Sequence, residues 1–197
     1  MTARDKTGGL ILAGGRSSRF GSPKAQAMLA GASLAEHVAA RLRPYVRALA
    51  VAGVQGTDGL GADPLADPPG APAGPLSGVL AGLDWAAGKK LDWLLVAPCD
   101  APLLPAEFAP RLAAAADASG APLAIAATAD GWQPLCGLWR TTLAGALRAA
   151  LADGRHPPVH RFAEEAGAAI AWFDDASRFL NINTTEDLAN AEALIRR

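Results

Sequence analysis

Leu10, Ile11, Leu12 and Ala13 form a short apolar run that stops at Gly14-Gly15, and they predict a buried strand. Residues 48–52 and 93–97 predict two more. The second of these is apolar throughout, the pattern of a strand buried on both faces in a parallel sheet. Residues 123–127 and 169–173 add strands, and 131–139 reads as a loop leading into another. Helical patterns fall between them. Ser33-Leu34-Ala35-Glu36 is a capping box, and Leu34, Val38 and Leu42 recur every four residues until Pro44 sets the limit. Further helices are expected after Gly78 to about residue 87, over 105–118, from a Thr142 cap to about 151, from His160 onward, and after Thr184 with Asp187 three positions on. Residues 55–78 are dense in Gly, Pro and Asp without any period, and a loop of that length inside a compact domain is usually functional. Strands alternating with helices predict one α/β domain over residues 1–197, doubly wound (Rossmann-like), with a mostly parallel central sheet flanked by helices.

Composition narrows the classes. With 51% hydrophobic and 19% charged residues, the chain of 197 has the makings of one sizeable core rather than a disordered tail. A formal net charge of −1 argues against general nucleic-acid binding, so any cationic site must be local. The 2 cysteines, Cys99 and Cys136, make no disulfide framework and no C-x-x-C, which fits a reducing cytoplasm. Residues 1–9 are polar, and the apolar run behind them is too short for a signal peptide. No uninterrupted apolar stretch reaches the roughly 18 residues that would span a membrane.

Chemistry concentrates where strands end. After the first strand come Gly14, Gly15, Arg16, Arg19, Gly21 and Lys24. Glycines uncover backbone N–H groups, and with cations alongside they make a site for a polyanion, most often phosphate. The alternative is a glycine-rich surface turn with solvated charges. Neither G-x-x-x-x-G-K-[ST] nor G-x-G-x-x-G occurs, so this is neither a P-loop nor a dinucleotide fingerprint. The third strand runs straight into Pro98-Cys99-Asp100. A carboxylate at the carboxyl end of a central parallel strand lies where open α/β sheets bind ligands, which makes Asp100 the leading metal ligand. A hard oxygen donor suits Mg²⁺, which takes one or two carboxylates and fills its shell with water and phosphate; the alternative for Asp100 is a helix cap. Asn181 and Asn183 stand on the same side of an extended segment, where two amides could hold a phosphate, a metal-bound water or a polar acceptor, or simply form a turn. His37 reads as a satisfied or surface histidine, Cys99 as a packed small residue and Trp139 as packing; Arg155, His156 and His160 carry no decisive signal.

Three of these segments together resemble the molybdenum cofactor guanylyltransferase family. Leu12, Ala13, Gly14, Gly15, Arg19, Phe20, Gly21 and Lys24 match L-A-G-G-x-x-x-R-[MF]-G-x-x-K, Pro98 to Pro102 matches P-C-D-x-P with Ala101 in place of the usual Thr, and Asn181 to Leu188 matches N-x-N-T-P-E-[DE]-L with Thr185 in place of Pro. The first motif is shared by many nucleotidyltransferases; the combination is far more specific. The resemblance implies transfer of GMP from GTP to the phosphate of molybdopterin or Mo-molybdopterin, with release of pyrophosphate and dependence on Mg²⁺. It implies that Lys24 and Arg19 meet the triphosphate, that Asp100 holds the metal, and that Leu12, Ala13, Gly14 and Gly15 present backbone groups to the nucleotide. Asp67 is the counterpart of the family's D-x-x-x-G-P-L-x-G aspartate, with Asp63 the other candidate because 68–73 is longer than the usual spacing. Asn181 and Asn183 would serve the acceptor or metal side, Gln133-Pro134-Leu135 the acceptor side, and the region of Arg155 and His156 would approach the acceptor, the alternative for these two being surface residues. Transient contacts with cofactor-delivery or molybdoenzyme proteins belong to the same expectation. The family often has Asn where this chain has Ala52-Gly53, which bears on base selectivity. Three alternatives stay open: a cytidylyltransferase for the same cofactor, a sugar-phosphate nucleotidyltransferase, and a nucleotide-binding regulatory module without turnover.

Overall fold

The structure is a computed structural model that describes residues 3–14, 24–53 and 59–195. In chain order the strands are β1 (Thr7–Leu12), β2 (Met28–Leu29), β3 (Ala32–Ser33), β4 (Ala48–Ala52), β5 (Asp63–Leu65), β6 (Trp93–Pro98), β7 (Leu123–Thr128), β8 (Gly131–Arg140) and β9 (Ala169–Trp172). The α-helices are α1 (Leu34–Leu42), α2 (Pro75–Gly88), α3 (Phe108–Ser119), α4 (Ala144–Ala150), α5 (Val159–Glu165) and α6 (Thr185–Ile195). Among the described residues β2 and β3 pair only with each other, and the other strands form one sheet in the order β5-β4-β1-β6-β8-β7-β9. All of its neighbours pair in parallel except those of β8, which runs antiparallel to both β6 and β7. The mostly parallel sheet expected from the apolar runs is present.

Alternation sorts the side chains onto two faces. Ile11, Leu95, Ala97 and Ala124 pack under α1 and α3, with Val38, Leu42, Phe108 and Leu112. Leu10, Leu12, Leu94, Val96 and Ile125 pack under α2, α4 and α5, with Leu76, Leu80, Leu83, Leu147 and Phe162. Helices thus cover both faces, as a doubly wound sheet requires. Helix α2 lies especially close. A Cβ on Gly82 would stand 2.6 Å from Leu10 Cδ2, and one on Gly78 would stand 3.0 Å from Leu12 Cδ2 and 3.2 Å from Ala52 Cβ. Two glycines one turn apart therefore let α2 settle onto β1 and β4, with its amino end at the carboxyl ends of those strands.

The local signals hold at both ends of the chain. Ser33 Oγ accepts from Glu36 N at 3.2 Å while Ser33 N donates to Glu36 Oε2 at 2.6 Å, the capping box of α1. Thr184 Oγ1 accepts from Asp187 N at 3.1 Å, and Asp187 Oδ2 accepts from Thr184 N at 2.8 Å, starting α6 the same way. Three expectations need correction. The loop expected over 55–78 contains β5, an edge strand whose Pro64 is tolerated because only one side of the strand is paired. Helix α2 begins at Pro75 rather than after Gly78, with proline in the first turn where its missing N–H costs nothing. Thr142 caps no helix: a 3-10 turn, Thr141–Leu143, precedes α4, whose start has no side-chain cap.

Candidate active site

The carboxyl ends of β4, β1 and β6 are laced together by backbone bonds. Ala13 N donates to Ala52 O at 2.8 Å, and Cys99 N donates to Leu12 O at 2.9 Å. Leu12, Ala13 and Gly14 therefore leave the sheet flanked on one side by Ala52-Gly53 and on the other by Cys99-Asp100. Gly53 comes so near the first loop that a Cβ there would stand 2.7 Å from both Gly14 Cα and Gly14 N, and its φ of 99° is one that side chains rarely adopt. Gly53 thereby fixes where the glycine loop begins. Gly15 and Arg19 lie outside the described residues, as does the side chain of Lys24, whose backbone opens the 3-10 turn Lys24–Gln26.

Asp100 is half-buried directly beyond β6. Its carbonyl accepts from Ile182 N at 2.8 Å, so the segment Asn181-Ile182-Asn183 is docked against it across a long stretch of chain. Ile182 is fully buried among Leu29, Leu34, Leu103 and Ala191, while Asn181 and Asn183 on either side of it are exposed. Asn183 N donates to Asp187 Oδ2 at 2.8 Å, and Asn183 Nδ2 reaches Asn181 O at 3.5 Å. The amide pair and Asp100 thus belong to one rim, held there by the capping of α6.

The two aspartates of the long loop part company. Asp63 accepts from Trp85 Nε1 at 2.8 Å and pairs with Lys89 Nζ at 3.0 Å, and these contacts, the indole first, hold its carboxyl below the usual range. It sits opposite Ala50, at the start of β5, with its charge committed to the side of α2. Asp67 lies past the carboxyl end of β5, exposed, with Oδ1 4.0 Å from where a Cβ of Gly78 would be. Asp67, not Asp63, stands beside the amino end of α2 at the rim.

Both cysteines are buried on the α1–α3 side. Burial, and then the nearby charge of Asp100, push the Cys136 thiol far up, so it stays protonated and inert beside the carboxylate. His37 Nε2 reaches Leu29 O at 2.7 Å, the satisfied histidine expected. Trp139 is fully buried and stacks on Phe162 with centroids 5.8 Å apart. Among the described residues no three His, Cys, Asp or Glu side chains cluster as a metal cage.

One contact of the rim was not legible in the sequence, although the resemblance brings the region of His156 toward the acceptor. His156, in the loop between α4 and α5, accepts from Leu76 N at 3.3 Å through Nε2. Its ring lies flat against Gly74: a Cβ there would fall 2.1 Å from Nε2. Gly74 provides no side-chain cap for α2, and the histidine supplies one from 80 residues away.

This rim gathers the carboxyl end of β1, a carboxylate beyond β6 and an amide pair docked beside it. Residues 9–169 match the family model of the MobA-like NTP transferase domain. The chain belongs to that family. A Cereibacter sphaeroides protein named molybdenum cofactor guanylyltransferase is 45% identical over 96% of this chain and 97% of its own length. One of the same name from Cupriavidus pinatubonensis is 39% identical over 98% and 100%. The solved structure of molybdopterin-guanine dinucleotide biosynthesis protein A from Archaeoglobus fulgidus superposes with a TM-score of 0.72 at 21% identity, covering 96% of this chain and 98% of that one. As a MobA-like NTP transferase the chain is a nucleotidyltransferase, and the fold expected from its hydrophobic pattern is the fold of the family. No helix among the described residues is long and apolar enough to cross a membrane.

Proposed function

We propose that the protein transfers GMP from GTP to the phosphate of molybdopterin, with or without its molybdenum, forming the guanine dinucleotide cofactor and pyrophosphate. An oxygen of the acceptor phosphate forms a bond to the α-phosphorus, and the bond from that phosphorus to the bridging oxygen of pyrophosphate breaks. No side-chain nucleophile is needed. The protein holds two polyanions in line and offsets the charge that gathers at the reacting phosphorus. The observation that carries this reading is the docking of Asn181-Ile182-Asn183 onto Asp100, beside the carboxyl end of β1, in a chain 45% identical to a guanylyltransferase.

Each residue has a part. Leu12, Ala13, Gly14 and Gly15 present backbone groups to the base and phosphates, Lys24 and Arg19 bind the triphosphate, and Asp67 contacts guanosine from the amino end of α2. Asp100 holds Mg²⁺, and Asn181 and Asn183 serve the acceptor or metal side. The donors at the rim support that choice of metal. They are a carboxylate and amides, hard oxygen groups, while both thiols are turned into the core. When bound, the ion supplies positive charge at the transferring phosphate.

Pyrophosphate release tests the reading. With GTP and Mg²⁺ it should require molybdopterin, and CTP should compete poorly, since a site that hydrogen-bonds one base leaves polar groups unpaired with another. Release that prefers CTP would move the chain to the cytidylyltransferase branch and mark Ala52-Gly53 as the change responsible. Release with a sugar phosphate alone would refute the acceptor.

A further inference from the structure

Ala127 of β7 stands between Trp132 of β8 and Trp172 of β9, in register with both. Partners in one row of a sheet project from the same face. Ile125, two residues before Ala127, packs under α5, so this row lies on the face of α2, α4 and α5. Beyond those helices the row emerges: Trp132 is 39% exposed and Trp172 52%, while Ala127 between them is buried at 2%. Two large aromatic side chains thus rise from either side of a floor made by one methyl group. Trp172 is also held in place, its Nε1 donating to Asp174 Oδ1 at 3.2 Å.

The spacing selects a ligand. Strands lie about 4.8 Å apart, so the two flanking strands are roughly 9.6 Å apart. Stacked aromatic pairs place their centroids about 4.5–7 Å apart, so two successive contacts need a span of roughly 9 Å or a little more. The slot therefore takes one flat ring system between two indoles. Its position fits the acceptor rather than the nucleotide. Strand β8 sets Gly137 opposite Val96 of β6, so the residues before Gly137 run past the carboxyl end of β6, where Asp100 follows, and through a bulge reach Trp132. A molecule with a phosphate at one end and fused heteroaromatic rings at the other would place the phosphate near Asp100 and the rings in the slot.

We infer that Trp132 and Trp172 form the subsite for the pterin of the acceptor, stacking it over Ala127. This rests on the function proposed above and goes beyond it by naming the residues that read the acceptor's rings. The slot is on the β8–β9 side of the sheet, away from the carboxyl end of β1, so it discriminates between acceptors and leaves GTP alone.

The test uses the full chain with 6-hydroxymethylpterin as the probe and molybdopterin as the substrate. Pterin should quench wild-type tryptophan emission, and the Trp132→Ala and Trp172→Ala variants should bind it about ten- to a hundredfold more weakly, as loss of one stacking partner for a base does. In steady state each should raise the KM for molybdopterin in step and leave the KM for GTP unchanged, and Trp132→Phe should restore most of the loss. Circular dichroism of each variant guards against misfolding. An unchanged pterin affinity in both alanine variants, a parallel rise in the KM for GTP, or a wild type that binds no pterin would overturn the subsite. So would a change of oligomeric state in Trp172→Ala at constant acceptor KM, which would make this face a contact between copies of the chain. Wild-type pyrophosphate release that needs molybdopterin keeps the proposed function standing even where the slot fails; its absence removes the function itself.

Discussion

Gly53→Ala should damage nucleotide binding without adding or removing any functional group. The added Cβ would stand 2.7 Å from Gly14 Cα and N, whereas ordinary contact begins at 3.4 Å, so one backbone must move by about 0.7 Å. Both partners are main chain at strand ends and cannot swing aside as a side chain would. The residue is also at a φ of 99°, where alanine is strained by roughly 1–3 kcal/mol. For a chain of this size each 1 kcal/mol lowers Tm by about 2–4 °C, so the variant should melt roughly 3–10 °C lower. A misplacement near 1 Å costs reactions about a hundredfold, so kcat/KM for GTP should fall about ten- to a hundredfold. Gly14→Ala is the control for stability, because among the described residues its Cβ meets only Gly53 Cα at 3.8 Å and its backbone is not left-handed. Differential scanning calorimetry and pyrophosphate release would read the two effects. Equal melting of the two variants, or wild-type GTP kinetics in Gly53→Ala, would show that this approach does not set the position of the loop.

Other outcomes follow from single contacts. His156→Ala removes the acceptor for Leu76 N and should cost about 1 kcal/mol, the usual worth of a helix cap, and raise the KM for GTP more than it lowers kcat; His156→Gln, which can still accept, should recover part of both. Lys24→Ala should reduce turnover roughly ten- to a thousandfold in a folded protein, as loss of one charge-stabilising donor does; wild-type turnover would mean a solvated charge. The Glu36 carboxyl is held below its ordinary value, chiefly by the Ser33 backbone N–H. Its stabilisation is therefore present above the unfolded carboxyl range and lost as pH falls, so denaturant midpoints of wild type and Glu36→Gln should differ at neutral pH and converge below about pH 4.

The parts of the fold written in local chemistry were readable. Strand β4 was bounded correctly because its apolar run is flanked by polar and glycine residues, and α1 because Ser33 and Glu36 cap each other within one turn. The parts that depend on distant partners were not. Asp63-Pro64-Leu65 becomes a strand only because Ala50, Val51 and Ala52 offer it a free edge. Gly78 reads in sequence as the residue before the helix, yet it lies inside α2, and it and Gly82 are glycines because Leu10, Leu12, Ala52 and Leu94 leave no room for a side chain. The site divides the same way. The place of Asp100 beyond the carboxyl end of a central strand is legible, because it follows an apolar run. The contact of His156 is not, since its partner Leu76 lies 80 residues earlier, and neither is the commitment of Asp63 to Trp85 and Lys89, which come from a later helix.

Asp100→Asn, assayed for pyrophosphate release from GTP with molybdopterin across a Mg²⁺ titration, tests the proposed chemistry most directly. The substitution keeps the shape and removes the charge, and the backbone bond from Ile182 N to the residue 100 carbonyl needs no carboxylate. The variant should fold and release almost no pyrophosphate at Mg²⁺ concentrations that saturate wild type. A folded variant with full activity and unchanged Mg²⁺ dependence would contradict the assignment and move the metal to another carboxylate, with Asp67 the first to examine.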